Sequence, residues 1–352
     1  MTKDTQYIPS KAEELHLTEV LRKLGENLSG LELKDVGSTA KGTWLAGASD
    51  IDIYVVCDNI QETHKRIKGL FPNGHDKKGQ LTIWNFLLDG YDVDLVIVTK
   101  NFHKREDTLL HASYFNRILT QDMKNEVRKA KAFFKTHGVY GAENGGIVGV
   151  ALEALMIQAH NLETLCGYLK WGKQLFVQDP TMTEKRNLLA SVNDKRWKQI
   201  QRVCKDYLND KPFSFKPMST NEFHDQYKWT HCTMMFYRKY DKGLDYQTIT
   251  STANKISRML RNQDRDITID IDAFVDNEHI ILCYRVRPLQ LSSLKEVCVG
   301  LQYAKAFKDA HPNAIVRDDK VCADVRRPVV FPDTAFITMV VEAMELKGYT
   351  RF

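Results

Sequence analysis

The 352-residue sequence has no uninterrupted apolar run near the roughly 18 residues that a membrane-spanning helix needs, which excludes a bilayer-embedded chain of that type. Its polar start, Met1–Ser10, lacks the basic-then-apolar layout of a secretory signal, so a cytoplasmic protein is expected. The seven cysteines (Cys57, Cys166, Cys204, Cys232, Cys283, Cys298 and Cys322) are odd in number, scattered and never spaced C-x-x-C. That pattern argues against a disulfide framework and a zinc site and predicts reduced, mostly core thiols. With 9 Pro and 19 Gly, no internal repeat and no low-complexity segment, the chain is neither fibrous nor disordered.

What is present is an ordinary globular mixture, 43% hydrophobic and 27% charged, in a chain long enough for two to three domains. The net charge of +5 is unevenly divided: residues 1–100 carry −3 and the remainder +8. An acidic front suits cations and a basic rear suits a polyanion.

Ser10-Lys11-Ala12-Glu13 is a capping box, which predicts a helix over 11–24 with Gly25 as its stop. Leu31–Val36 and Asp50–Val56 read as strands, the second with Ile51, Ile53 and Val55 on one face and Asp50, Asp52 and Tyr54 on the other. Leu81–Leu88 and Tyr91–Val98, separated by Asp89-Gly90, predict a hairpin whose second strand carries Asp92 and Asp94 on one face. From about 104 the period becomes helical: Asp122–His137 should stop at Gly138, and Ile147–Trp171 reads as one long apolar-rich helix. Residues Lys211–Asp225 read as a connection. Beyond them come a helix over Thr250–Arg261, strands on Ile267/Ile269/Ile271 and Ile280/Leu282/Tyr284/Val286, and a helix over about 294–310.

The chemistry concentrates in Gly37-Ser38-Thr39-Ala40-Lys41-Gly42 and the following Asp50-Ile51-Asp52. Gly-Ser between a strand and a helix offers backbone amides and a hydroxyl to a phosphate, and a nucleotide triphosphate is the natural guest. An isolated D-x-D is ordinarily a solvated strand face; here Gly37-Ser38 upstream and Asp94 downstream favour a carboxylate triad. Three such carboxylates imply paired Mg²⁺ ions. Asp94 is preferred to Asp92 because it sits between Val93 and Leu95, where a carboxylate needs a reason.

Gly-Ser followed by Gly-x-x-Asp-x-Asp resembles the nucleotidyltransferase superfamily of DNA polymerase beta, poly(A) polymerases and oligoadenylate synthetases. Residues Gly37–Leu45 resemble most closely the archaeal-type (class I) CCA-adding enzymes. Glu126-Val127-Arg128 with Lys131, Gly138-Val139-Tyr140-Gly141-Ala142-Glu143, Gly146-Ile147-Val148-Gly149 with Glu153, and Val177–Asn187 are similar to the same family. The likeness covers about residues 10–217 and is looser beyond, through Trp229-Thr230-His231.

The resemblance implies an α+β chain with a polymerase-beta-like head (1–110), a helical neck (111–215) and an α+β body and tail (216–352). The tail is expected to be short, because the chain stops at Phe352 where the family commonly runs on. It implies CCA addition to tRNA from CTP and ATP with two Mg²⁺ ions, Asp50 and Asp52 holding both and Asp94 the one at the tRNA 3′-hydroxyl. Gly37, Ser38 and Lys41 would take the triphosphate, His111, Lys131 and Tyr140 the phosphate and ribose side, and Arg186 the base. Without the family, His111 reads first as a structural histidine, Lys131 as part of a solvated helix face, Tyr140 as a core plug and Arg186 as a local cap or salt bridge. Glu153 reads as a buried partner of a neck cation or a group that places the primer end. Arg285, Arg287, Arg317, Lys320, Arg326 and Arg327 offer phosphate contacts. The same head on an oligoadenylate or cyclic-nucleotide synthase, or on an inactive RNA-binding protein, remains the alternative.

Overall fold

The computed structural model describes residues 7–47, 50–77, 81–100, 102, 106–209, 216, 218–228, 230–237, 245–275, 279–327 and 329–351. The chain divides into two compact units, one of residues 1–219 with 239–246 and one of 220–238 with 247–352.

The first unit opens with α1 (Lys11–Asn27), whose capping box forms as read: Ser10 Oγ accepts from the Glu13 amide at 3.2 Å and Glu13 Oε2 accepts from the Ser10 amide at 2.8 Å. Gly25 does not end it. The helix runs two residues further, and the chain turns at Gly30, which adopts a left-handed φ of 84°. Then follow β1 (Glu32–Val36), the single turn α2 (Gly37–Ala40), β2 (Ile51–Cys57), α3 (Ile60–Leu70), β3 (His75–Lys77), β4 (Thr82–Leu88) and β5 (Tyr91–Thr99). They make a five-stranded sheet in the order β1-β2-β5-β4-β3, antiparallel except for the parallel pair β2–β5. Asp89 and Gly90 both take positive φ, which the tight turn of the β4–β5 hairpin requires.

The period of two along the strands decides the rest. Ile51, Ile53 and Val55 of β2 and Val93, Leu95 and Ile97 of β5 pack under α1 and α3 with Val20, Leu24 and Ile67. The opposite face carries Tyr54, Val96 and Val98 in a smaller cluster, so Asp52 and Asp94 stand at its open end.

A helical layer completes this unit: α4 (Glu106–Ile118), α5 (Gln121–Thr136), α6 (Gly149–Ala159), α7 (Leu162–Leu169) and α8 (Asp194–Leu208). Phe133, Phe134, Leu152, Met156, Leu165 and Trp197 are among its core. The expected single helix over Ile147–Trp171 is two. His160 takes a left-handed φ of 62° and the Asn161 side chain caps α7 by accepting from the Thr164 amide at 2.8 Å. Residues 170–193 form an irregular segment.

In the second unit, α9 (Thr220–Tyr227) occupies part of the stretch expected as a connection; residues 210–215 and 217 lie outside the described residues, as does Trp229. Next come β6 (Cys232–Tyr237), α10 (Asp245–Gln263), whose first residues belong to the other unit, β7 (Thr268–Val275) and β8 (His279–Arg287). They form an antiparallel sheet in the order β6-β8-β7. A second antiparallel sheet is ordered β10-β11-β9, from β9 (Leu294–Gly300), α11 (Ala304–Ala310), β10 (Ile315–Arg317) and β11 (Lys320–Arg326), before α12 (Pro332–Glu345) closes the chain.

Two expectations fail here. Leu294–Gly300 is strand, not the start of a helix, because β11 pairs with it along its whole length from Lys320↔Gly300 to Arg326↔Leu294. Cys298 and Cys322 face each other in that pairing and are disulfide-bonded, so these two are not reduced core thiols. Antiparallel register brought together cysteines 24 residues apart.

Candidate active site

Asp52 of β2 and Asp94 of β5 are register partners across the parallel pair, with Asp50 just before β2. Burial drives the Asp52 carboxyl up to about 7, and the neighbouring Asp94 and Asp50 add to it. Asp50 is raised by desolvation and then by Asp92 and Asp94. One cation answers this negative face directly: Lys77 Nζ donates to both oxygens of Asp94, at 2.6 and 2.7 Å. Asn85, on β4, donates to Asp94 at 2.8 Å and also to Asp92. The three site carboxylates do not all bring an oxygen within 4.8 Å of one another; among the described residues that closeness is reached by Glu296, Cys298 and Cys322, where the disulfide and the Arg317–Glu296 pair at 3.0 Å account for the groups.

Gly37 backs onto Asp52. A Cβ at position 37 would lie 2.2 Å from Asp52 Oδ2, and the residue holds a φ of 69°. A glycine is therefore required twice over, by contact and by backbone. Ser38 follows it in α2, and its carbonyl accepts from the Thr43 amide at 2.9 Å, which folds the loop back on itself.

Lys41 and Lys131 do not point free into solvent. Both end on the fully buried carboxylate of Glu153 in α6, Lys41 on Oε2 at 2.6 Å and Lys131 on Oε1 at 3.0 Å. The Thr43 hydroxyl donates to Oε1 at 2.6 Å and accepts from Lys131 at 2.8 Å. Burial alone would raise Glu153, but Lys131 and Lys41 outweigh it and hold it at about 2. Lys131 is lowered to about 8 by desolvation, against Glu153. The solvated-face reading of Lys131 thus fails, and of the two readings of Glu153 the buried cation partner is the one formed. Tyr140 adjoins this cluster: a Cβ on Gly149 would stand 3.0 Å from its hydroxyl and 3.6 Å from Lys131 Nζ.

His111 and Arg186 meet at a third carboxylate. Asp179 is fully buried and accepts from His111 Nε2–H at 2.8 and 3.0 Å and from the Thr181 amide and hydroxyl at 3.0 and 2.9 Å. Arg186 Nη1, half-exposed, lies 3.4 Å from Asp179 Oδ2. Burial would raise Asp179; the hydrogen bonds from His111 and Thr181 leave it below the usual range.

Reading residues in sequence missed Lys77, Asn85 and Thr43 and did not foresee Asp179 as the anchor of His111 and Arg186. Asp179-Pro180 between turn-forming residues was the available signal. In the second unit Arg327 is taken by Asp264 and by Asp266 at 2.9 Å, Arg317 by Glu296, and Arg285 lies 3.7 Å from Asp270, whereas Arg287, Lys320 and Arg326 are exposed with no ion pair among the described residues.

A strand–turn–strand that sets a glycine against a paired carboxylate is the core of a nucleotidyltransferase, and residues 17–83 match the family model described as a nucleotidyltransferase domain. The chain is similar to the CCA-adding enzyme of Thermoplasma acidophilum, 31% identical over 199 residues that cover 50% of this chain and 89% of the relative. It is 25% identical to that of Saccharolobus islandicus strain M.14.25 over 350 residues, 89% of this chain and 83% of the relative. With the CCA-adding enzyme of Methanothermobacter thermautotrophicus it shares 29% identity over 243 residues, 58% of this chain, and spans about half the relative's length (53%). The chain belongs to the archaeal-type CCA-adding enzymes. No helix among the described residues is long and apolar enough to cross a membrane.

Proposed function

We propose that this protein adds C, C and A from CTP and ATP to the 3′ end of tRNA by template-independent nucleotidyl transfer. The observation that supports it best is the register of Asp52 against Asp94 with Gly37 pressed on Asp52. The donor set suits a hard divalent cation: it offers oxygen ligands alone, and Asp50 and Asp52, both held toward the protonated form by their surroundings, are groups that a bound cation would keep ionised. Asp50 and Asp52 would hold two Mg²⁺ ions, and Asp94, now paired with Lys77, would hold one of them. When bound, such ions lower the pKa of an attacking hydroxyl and neutralise a leaving pyrophosphate.

The chain's own groups do the placing. Gly37 leaves room for Asp52, and its neighbour Ser38 offers amide and hydroxyl to the triphosphate, with Lys41, Lys131 and Tyr140 along the phosphate and ribose side. His111, steadied by Asp179, takes a position beside the ribose. Arg186 presents a planar fork of donors to the base edge, a geometry that suits acceptors on both C and A. The head and neck of this reading lie within the first unit, and Arg287, Lys320 and Arg326 of the second bind RNA phosphates, a contact that weakens with salt.

The test is incubation of the purified protein with Mg²⁺, labelled CTP or ATP, and tRNA lacking its CCA end. Extension of the tRNA by three nucleotides is expected. Dinucleotide products made without RNA would point to a synthase with the same head, and absence of any product to an inactive RNA binder.

A further inference from the structure

We propose that Glu153 is the positioning residue that holds Lys41 and Lys131 side by side as a two-ammonium cradle for the triphosphate of the incoming nucleotide. The inference rests on the reading above that these two lysines take the triphosphate.

The three groups come from separate segments: Lys41 from the loop after α2, Lys131 from α5 and Glu153 from α6. One fully buried carboxylate serves two lysines, themselves only 8% and 3% exposed, and each of its oxygens is fixed by a contact of 2.6 Å. Desolvated charge is tolerated where it is matched. A carboxylate placed there only to neutralise a buried cation would take one lysine. Lys41, Lys131 and Glu153 together sum to one positive charge, which Asp52 feels through Lys41 and which an incoming anion can answer. Thr43 locks the arrangement, since its hydroxyl bridges Glu153 Oε1 and Lys131 while its carbonyl accepts from the same ammonium at 3.1 Å. The Phe115 ring lies 5.7 Å from Lys41 Nζ, so the lysine swings little on that side.

The charged and titratable groups around Lys131 are Glu153, Lys41, Lys135 and, over Gly149, the Tyr140 hydroxyl. Of the largest influences on Lys131, Glu153 favours the ammonium form while burial, Lys41 and Lys135 oppose it, and the balance sits at about 8. Loss of the Glu153 charge leaves burial, Lys41 and Lys135 unopposed, so Lys131 gives up its proton at lower pH and the cradle loses a charge.

The experiment compares wild type, E153Q, T43V and K131M as full chains, with Mg²⁺ and tRNA lacking its CCA end, measuring kcat and KM for CTP and ATP between pH 6 and 9. The pH profile of kcat/KM reports free-enzyme groups. In wild type it should fall above about pH 8. E153Q is expected to raise KM about tenfold at pH 7.5, the size of one pK unit of lost interaction, with little change in kcat. It should also move the alkaline limb at least about one pH unit downward. T43V, which keeps the carboxylate and the side-chain volume, should move the limb the same way by less, and it carries the test if E153Q shows no cooperative melt. A limb and KM unmoved in the folded variants, with only the active fraction reduced at every pH, would overturn the inference. K131M separates the two readings: if it raises KM while E153Q and T43V do not, only the role of Glu153 is wrong; if K131M leaves KM unchanged, the triphosphate reading itself fails.

Discussion

The molecule holds two clusters of aspartates in opposite electrostatic condition. In the first unit Asp52 is raised by burial and by like charge, the more exposed Asp50 is shifted the same way beside Asp92 and Asp94, and Lys77 answers Asp94 at close range. In the second, Asp264 and Asp266 share Lys295 and Arg327. Lys295 lies at 2.9 and 3.2 Å, and both carboxyls are held below their ordinary range. For Asp264 burial works upward and is outweighed by Lys295 and Arg327. The matched cluster is a joint: it ties the loop after α10 to β9 and to the residue after β11. The unmatched one carries a cost that the proposed cation would relieve.

The largest test of this contrast is Asp52→Asn. Nucleotidyl transfer should fall by about 10³-fold or more, the several kcal/mol that metal positioning supplies. Metal-free stability should move the other way. Asp52 is pushed up to about 7, above its unfolded value near 4, so the folded state binds the extra proton between those values. Its contribution is full below pH 4, is lost as pH rises to about 7 and is then flat. At pH 8 the asparagine therefore gains roughly 2 kcal/mol in urea melts without Mg²⁺. Equal loss of activity and stability would mean that Asp52 is a structural partner.

Asp264→Asn should do the reverse. Removing Asp264 leaves Arg327 and Lys295 to share Asp266 alone, and the lost charge-assisted hydrogen bonds cost about 1.5–3 kcal/mol. The same urea melts would detect it, and a neutral result would break the distinction between the clusters.

Lys77→Met sharpens it further. The methionine fills similar volume but leaves Asp94 without its ammonium, so the metal-free protein should lose about 1–2 kcal/mol near pH 8 while Mg²⁺ restores more stability than in wild type. Melting temperatures with and without Mg²⁺ measure this directly. Equal Mg²⁺ effects in the two proteins would show that lysine and metal do not compete for Asp94.

What sequence could reveal follows the range of the interaction. The capping box at Ser10, the Asp89-Gly90 hairpin and the alternation that puts Asp52 with Tyr54 are local, and each forms as expected. The break at His160 was signalled by Asn161-x-x-Thr164, a cap hidden inside an otherwise continuous apolar run. The strand at Leu294–Gly300 was invisible because β11, its partner, decides it. The site divides the same way. Gly37-Ser38 and Asp50-x-Asp52 are legible as a motif. The contacts of Glu153 with Lys41 and Thr43 span 112 and 110 residues, and that of His111 with Asp179 spans 68, so only folding brings them together.

The smallest effect on stability is expected at Arg186, within the same contrast of matched and unmatched charge. Its partner Asp179 already accepts from His111 and twice from Thr181, so the carboxylate stays satisfied when the guanidinium goes. Arg186 is 51% exposed and 3.4 Å from that carboxylate, a geometry worth under about 1 kcal/mol. Arg186→Ala should therefore melt almost as wild type does. In the proposed reading its guanidinium addresses a base edge, where one bidentate contact carries about 1–3 kcal/mol of discrimination. Misincorporation of UTP and GTP should rise about tenfold or more relative to CTP and ATP, with total transfer slowed less. An Arg186→Ala protein that keeps its nucleotide selectivity but loses several kcal/mol of stability would reassign this arginine to the joint that holds His111 and Asp179.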